Sequence, residues 1–174
     1  MFRKLTELTL TINGPWPSSS IEHLSTLIDL SQLVTLGLHI NIDHCSVSDT
    51  INNIDHLLQH TNNVRSLILA NAFCGDSFNG IVENLCSIIP DHIKHLDIYD
   101  MDLDDIKIVL IRLKHLSSVI FAFFFNMPFS PNEIIGWLSQ RRDFTYLVDN
   151  SSLSIWLGNH VNLQSDSTLI SSED

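Results

Sequence analysis

Among the nine histidines of this 174-residue chain, two have a spacing that could hold a metal. His56 and His60 are four residues apart on a predicted helix, which sets two imidazoles on one face, and His44-Cys45 precedes them. Zinc chemistry needs more than a pair. No Glu follows His56 as in a His-Glu-x-x-His metalloprotease, and no third ligand stands at a fixed spacing, so a solvated helix face explains the pair. His92 and His95 flank the start of a predicted strand; alternation sends His95 to one sheet face and leaves His92 in the preceding loop. Asp97, Asp100, Asp102, Asp104 and Asp105 form the densest acidic run. The EF-hand spacing and its closing Glu are absent, and the last three acids suit a helix N-terminus. Cys86 lies among Leu85, Ile88 and Ile89 as a buried thiol would, and Cys74 has no nearby His or basic residue to activate it. Nucleotide and hydrolase signatures such as Gly-x-Gly-x-x-Gly and Gly-x-Ser-x-Gly do not occur.

The elements that position these residues are read from a repeated phrase. Leu5-x-x-Leu8-x-Leu10-x-Ile12 returns as Leu33-x-x-Leu36-x-Leu38-x-Ile40, Val64-x-x-Leu67-x-Leu69, Ile93-x-x-Leu96-x-Ile98 and Leu116-x-x-Val119-x-Phe121-x-Phe123. Starts at 5, 33, 64, 93 and 116 are 28, 31, 29 and 23 residues apart. Inside each phrase apolar residues alternate, the period of a strand with one buried face. Between phrases the spacing turns helical. Ser19-Ser20-Ile21-Glu22 reads as a capping box ahead of Ile21, Leu24, Leu27 and Ile28. Ser46 or Ser48 caps a second helix with Ile51, Ile54, Leu57 and Leu58. A third carries Phe78, Ile81, Val82, Leu85, Ile88 and Ile89 and stops at Pro90; a fourth runs from Asp102 through Ile106, Val109, Leu110 and Leu113 to Lys114.

A strand-helix unit of this size cannot bury its own apolar face, so successive units must stack in parallel. A doubly wound sheet is the alternative, but it would show near-continuous apolar strands, whereas Thr6, Thr9, Thr11 and His39 imply a face open to solvent. After the fifth phrase, Ser130-Pro131-Asn132-Glu133 starts a short helix with Ile134, Ile135, Trp137 and Leu138. Phe144–Val148 and Leu153–Leu157, joined by Asp149–Ser152, read as a hairpin able to cover the apolar strand Ile120–Phe125. Residues 161–174, rich in Ser and Asp, are expected to be disordered.

The phrases resemble the leucine-rich-repeat family, whose consensus is Leu-x-x-Leu-x-Leu-x-x-Asn or Cys-x-Leu. The first two copies match through Asn13 and Asn41; the later copies place Ala72, Met101 and Phe124 there. The resemblance implies that Asn13 and Asn41 bond the backbone of the neighbouring turn. It covers residues 1–125 and implies an α/β leucine-rich-repeat solenoid, parallel strands inside and helices outside, with residues 126–160 as a helix-plus-hairpin cap. The end of the chain is similar to F-box proteins with degenerate leucine-rich repeats. That resemblance implies the substrate-holding part of a ubiquitin-ligase adaptor, whose F-box would lie upstream. The first strand begins without a capping unit, so the chain is expected to be a fragment or a truncated paralogue with an F-box or further repeats missing.

Composition narrows the partners. With 20 acidic against 9 basic side chains, a net charge of −11 and no Lys/Arg cluster, the composition argues against a general nucleic-acid binder, and a partner surface is expected to be neutral or basic. Apolar runs near Ile106–Leu113 and Val119–Phe125 fall short of the roughly 18 residues of a membrane span. Three scattered cysteines and no signal peptide suggest the cytoplasm or nucleus, and Asn150-Ser151-Ser152 is read as a polar turn rather than a glycosylation site. A protein-binding role without catalysis, cofactor or metal is therefore expected. Its contacts are His39, His95, Asp97 and Tyr99 on the concave sheet face, where small neighbours let a partner approach. An enzyme or metal-binding protein using His56 and His60, or His92, His95 and the Asp97–Asp105 run, is the alternative.

Overall fold

The computed structural model describes residues 5–13, 17, 19–41, 47–70, 81–123, 129–141 and 143–158. Their elements are β1 (Glu7–Asn13), α1 (Ser20–Leu27), a short 3-10 turn (Leu30–Gln32), β2 (Thr35–Asn41), α2 (Val47–Gln59), β3 (Ser66–Ala70), α3 (Ile81–Ile88), β4 (His95–Tyr99), α4 (Leu103–Arg112), β5 (Ser118–Ala122), α5 (Pro131–Ser139), β6 (Phe144–Val148) and β7 (Ser152–Leu157). The fold is α/β, with one seven-stranded, mostly parallel sheet in the order β1-β2-β3-β4-β5-β7-β6. β1 to β5 are parallel neighbours in chain order, so the order never reverses as it does in a doubly wound sheet. Four crossovers of one hand, all stepping in one direction, put α1 to α4 on the same side of the sheet.

The two faces differ as the alternation requires. Leu36, Leu38, Ile40, Leu67, Leu69, Leu96, Ile98, Val119 and Phe121 are buried on the helix side. They form one core with Ile54, Leu57 and Leu58 of α2, Val82 and Leu85 of α3, and Ile106, Val109 and Leu110 of α4. Neighbouring helices touch in sequence, α2 with α3 and α3 with α4.

Hydrogen bonding repeats with the phrases. The amides of Leu33, Val64, Ile93 and Leu116, the first residues of their phrases, donate to the carbonyls of Leu30, Thr61, Pro90 and Leu113 at 3.0–3.3 Å. The second residue of each phrase then accepts from the next unit. The Thr6 carbonyl takes the amides of Val34 and Thr35, that of Val34 takes Arg65 and Ser66, that of Arg65 takes Lys94 and His95, and that of Lys94 takes Ser117 and Ser118. One offset thus passes from unit to unit and fixes the register. Side chains reinforce it: Asn63 donates to the Ser31 carbonyl at 2.6 Å, Arg65 to that of His92 at 2.9 Å and Lys94 to that of His115 at 3.3 Å.

Some local expectations are corrected. Ser19 and Ser130 stand at the N-caps of α1 and α5 but neither side chain makes a capping bond, so neither capping box forms. At α1 the His23 ring bonds the Ser19 carbonyl instead, at 2.7 Å. Leu27, read as part of the apolar face of α1, is exposed, while Ile21 and Ile28 are buried. The C-terminal hairpin does not lie over strand five. β7 pairs antiparallel with β5, Phe121 opposite Leu153 and Val119 opposite Ile155, and extends the sheet edgewise. Its turn is held by Asp149, whose carboxylate accepts from the Ser151 amide at 2.8 Å and the Ser152 hydroxyl at 2.9 Å. The side chains of Asn13 and Asn41, the residues Ala72 and Phe124 and the tail 161–174 lie outside the described residues, as do His44, Cys45, Ser46, Cys74 and Phe78. Met101 is buried. No helix among the described residues is long and apolar enough to cross a membrane.

Candidate functional site

The side of the sheet away from the helices carries the residues that alternate with the core. Register puts Glu7, Thr35, Ser66, His95 and Ser118 in one row, and Thr9, Gly37, Ile68, Asp97 and Ile120 in the next. The third row holds Thr11, His39 and Ala70, then Tyr99 opposite Ala122. His39, His95, Asp97 and Tyr99 therefore share one face. The structure brings His95, Asp97 and Tyr99 together at two-residue steps along β4. His39 stands on β2, two strands and about 10 Å away, with only the small Ala70 of β3 between it and the strand of Tyr99.

Each side chain is set by its neighbours. The exposed His95 ring bonds the Ser118 hydroxyl across the strands at 2.8 Å. Asp97 is flanked in its row by Ile68 and Ile120, and this burial raises its carboxyl above the usual range; the nearby His95 only partly opposes the shift. No Lys or Arg stands in these rows among the described residues. Gly37 keeps the row low beside Thr9: a Cβ there would come within 2.9 Å of the Thr9 hydroxyl. The hairpin adds residues that sequence reading did not assign to the face. Trp156 lies opposite Ser118 and is 45% exposed, large enough to contribute contact area, and Ser154 lies opposite Ile120 with Leu147 beyond it. Their alternation was legible, but which strand the hairpin joins is set by non-local pairing that no repeat encodes.

The alternative sites do not assemble among the described residues. His56 and His60 meet edge to face, with ring centroids 4.8 Å apart, and Nδ1 of His60 bonds the His56 carbonyl at 2.8 Å, so the rings do not point at a common centre. His92 sits in the turn before β4, away from the open face, with its pKa pushed down by burial and by Arg65. The acidic run is dispersed. Asp97 is on the sheet, Asp100 takes a left-handed conformation (φ 54°) while its amide donates to the Ala122 carbonyl, and Asp102 caps α4. Asp104 pairs with Lys107 at 2.8 Å, and Asp105 is buried. Among the described residues no three His, Cys, Asp or Glu side chains gather to hold a metal. Burial pushes the Cys86 thiol up to about 11, so it is a poor nucleophile at neutral pH. Compared with protein-family models, curated proteins and solved structures, the chain matches none.

Proposed function

We propose that the chain is a leucine-rich-repeat solenoid that recognises another protein on its open sheet face, with His39, His95, Asp97 and Tyr99 among the contacts. The observation that carries this reading is the five-strand parallel face itself, which no described helix covers and which combines small residues with Tyr99, Asp97 and two aliphatic side chains. Tyr combines large contact area with little rotamer entropy and is frequent at binding hot spots. The repeated turn and the doubly accepting carbonyls support the solenoid part, because each phrase bonds its neighbours in the same way. Holding substrate for an F-box-type ubiquitin ligase is the narrower form of the proposal. It rests on the C-terminal resemblance, and an F-box in the upstream coding sequence would support it.

Pull-down from a lysate with Tyr99→Ala and Asp97→Ala, compared with Gln59→Ala on α2, tests the face, with folding checked by circular dichroism. Loss of the partner is expected from the two sheet variants and retention from Gln59→Ala. Equal loss from both, or loss only from the helix, removes the open face from consideration.

A further inference from the structure

We infer that the partner presents a lysine or arginine side chain, within an otherwise apolar segment, to Asp97 at the centre of the open face. This deepens the recognition reading above and rests on it. Asp97 occupies the middle of the three rows, between Ile68 and Ile120, with Ser154 and Leu147 continuing the row onto the hairpin. Burying a carboxylate costs free energy unless a hydrogen bond or an opposite charge offsets it. Here no described side chain donates to it, and the one described charge acting on it is that of His95, whose Nδ1 is engaged with the Ser118 hydroxyl.

Among the described residues, five of the six Lys and Arg side chains are engaged away from Asp97, and the sixth, Lys114, is exposed in the turn after α4. Arg65 and Lys94 tie carbonyls of neighbouring units, Lys107 pairs with Asp104, Arg112 faces Glu83, and Arg141 stacks 4.3 Å over Trp137. Among the described residues, an incoming ammonium or guanidinium would thus compete only with the partial influence of His95, in surroundings already partly stripped of water where such a pair is stronger than on an open surface. Ile68, Ile120 and Leu147 set the rest of the chemistry, since aliphatic neighbours favour apolar side chains on either side of the cation. The chain's charge of −11 draws in such a partner and repels an acidic one.

The test selects short random peptides against the whole protein, then measures binding of the recovered peptides to wild type, Asp97→Asn and Glu22→Gln on α1. Amide shifts locate the bound peptide. Asn keeps the shape of Asp97 and removes a poorly solvated charge, so this variant folds; changing the peptide's Lys or Arg to norleucine repeats the test without touching the protein. Recovered peptides are expected to carry Lys or Arg among apolar residues and to shift Ser66–Ala70 and Ser118–Ala122. Their affinity is expected to fall about tenfold on either single change and little further on both, with Glu22→Gln near wild type. Peptides that bind this face without a basic residue, or indifferently to Asp97→Asn, overturn the inference and leave the recognition reading standing. Peptides that settle on the outer helices, or a selection that recovers none, overturn both.

Discussion

At the scale of single residues, Asp105 shows a conflict between local and tertiary demands. It stands in the first turn of α4, where a negative charge suits the helix dipole, yet it is 4% exposed and its Oδ2 has no hydrogen-bond partner. Burial, then the charges of Asp102 and Asp104, raise its pKa from 3.8 to about 6. Between those values the folded state binds more protons than the unfolded chain, so this group's contribution to stability falls as pH rises from about 4 to about 6. At pH 7 the ionised carboxylate is held in place at a cost. Asp105→Asn is therefore expected to stabilise the protein by about 1–2 kcal/mol at pH 7 and to have little effect near pH 3.5, below both values. Urea unfolding of both proteins at the two pH values checks this; destabilisation at pH 7 would mean that the carboxylate has a stabilising partner. His92 and His115 run the other way. Burial lowers both, so their contribution is intact above pH 6.5 and is lost as pH falls below it.

Helix starts show at the next scale why one kind of sequence signal was reliable and another was not. At α4 the Asp102 carboxylate accepts from the amides of Asp104 and Asp105 at 2.9 and 2.8 Å, as the acidic run predicted. The Ser-x-x-Glu signals at α1 and α5 place the helix but not the bond: the Ser19 backbone lies near ψ 2° instead of the extended conformation that aims a cap side chain, and Ser130, although extended, makes no cap bond either. A three-residue pattern identifies groups able to bond without fixing whether they do. Asp102→Ala is expected to cost about 1 kcal/mol, seen as a lower denaturation midpoint with an unchanged denaturant slope. Ser19→Ala and Ser130→Ala, whose side chains make no cap bond, should each cost well below that.

Across the whole molecule, the five phrases made both the sheet and the open face legible, because the second and third residues of a phrase carry the inter-unit bonds and thereby fix every row. His39, His95, Asp97 and Tyr99 could thus be assigned to one face from alternation alone. What alternation could not supply was the desolvation of Asp97 or the position of Trp156, since both depend on strands brought together across the sheet. The same stacking predicts a gradient of stability. β3 lies between two paired strands with Leu67 and Leu69 buried, whereas Leu8, Leu10 and Ile12 of the edge strand β1 are only partly covered. At the other edge β6 exposes Tyr146, Leu147 and Val148, and it carries no Lys or Pro of the kind that blunts sheet edges. An edge opens without disrupting the centre, so amide hydrogens should exchange slowest in β2 to β4 and faster in β1 and β6. Residue-resolved exchange on dilute protein measures this directly. Protection of β1 equal to that of β3 would contradict the gradient. If protection of β6 instead rises with protein concentration, its exposed edge is pairing with a second copy, and Leu147→Lys should abolish that rise while leaving β3 unchanged.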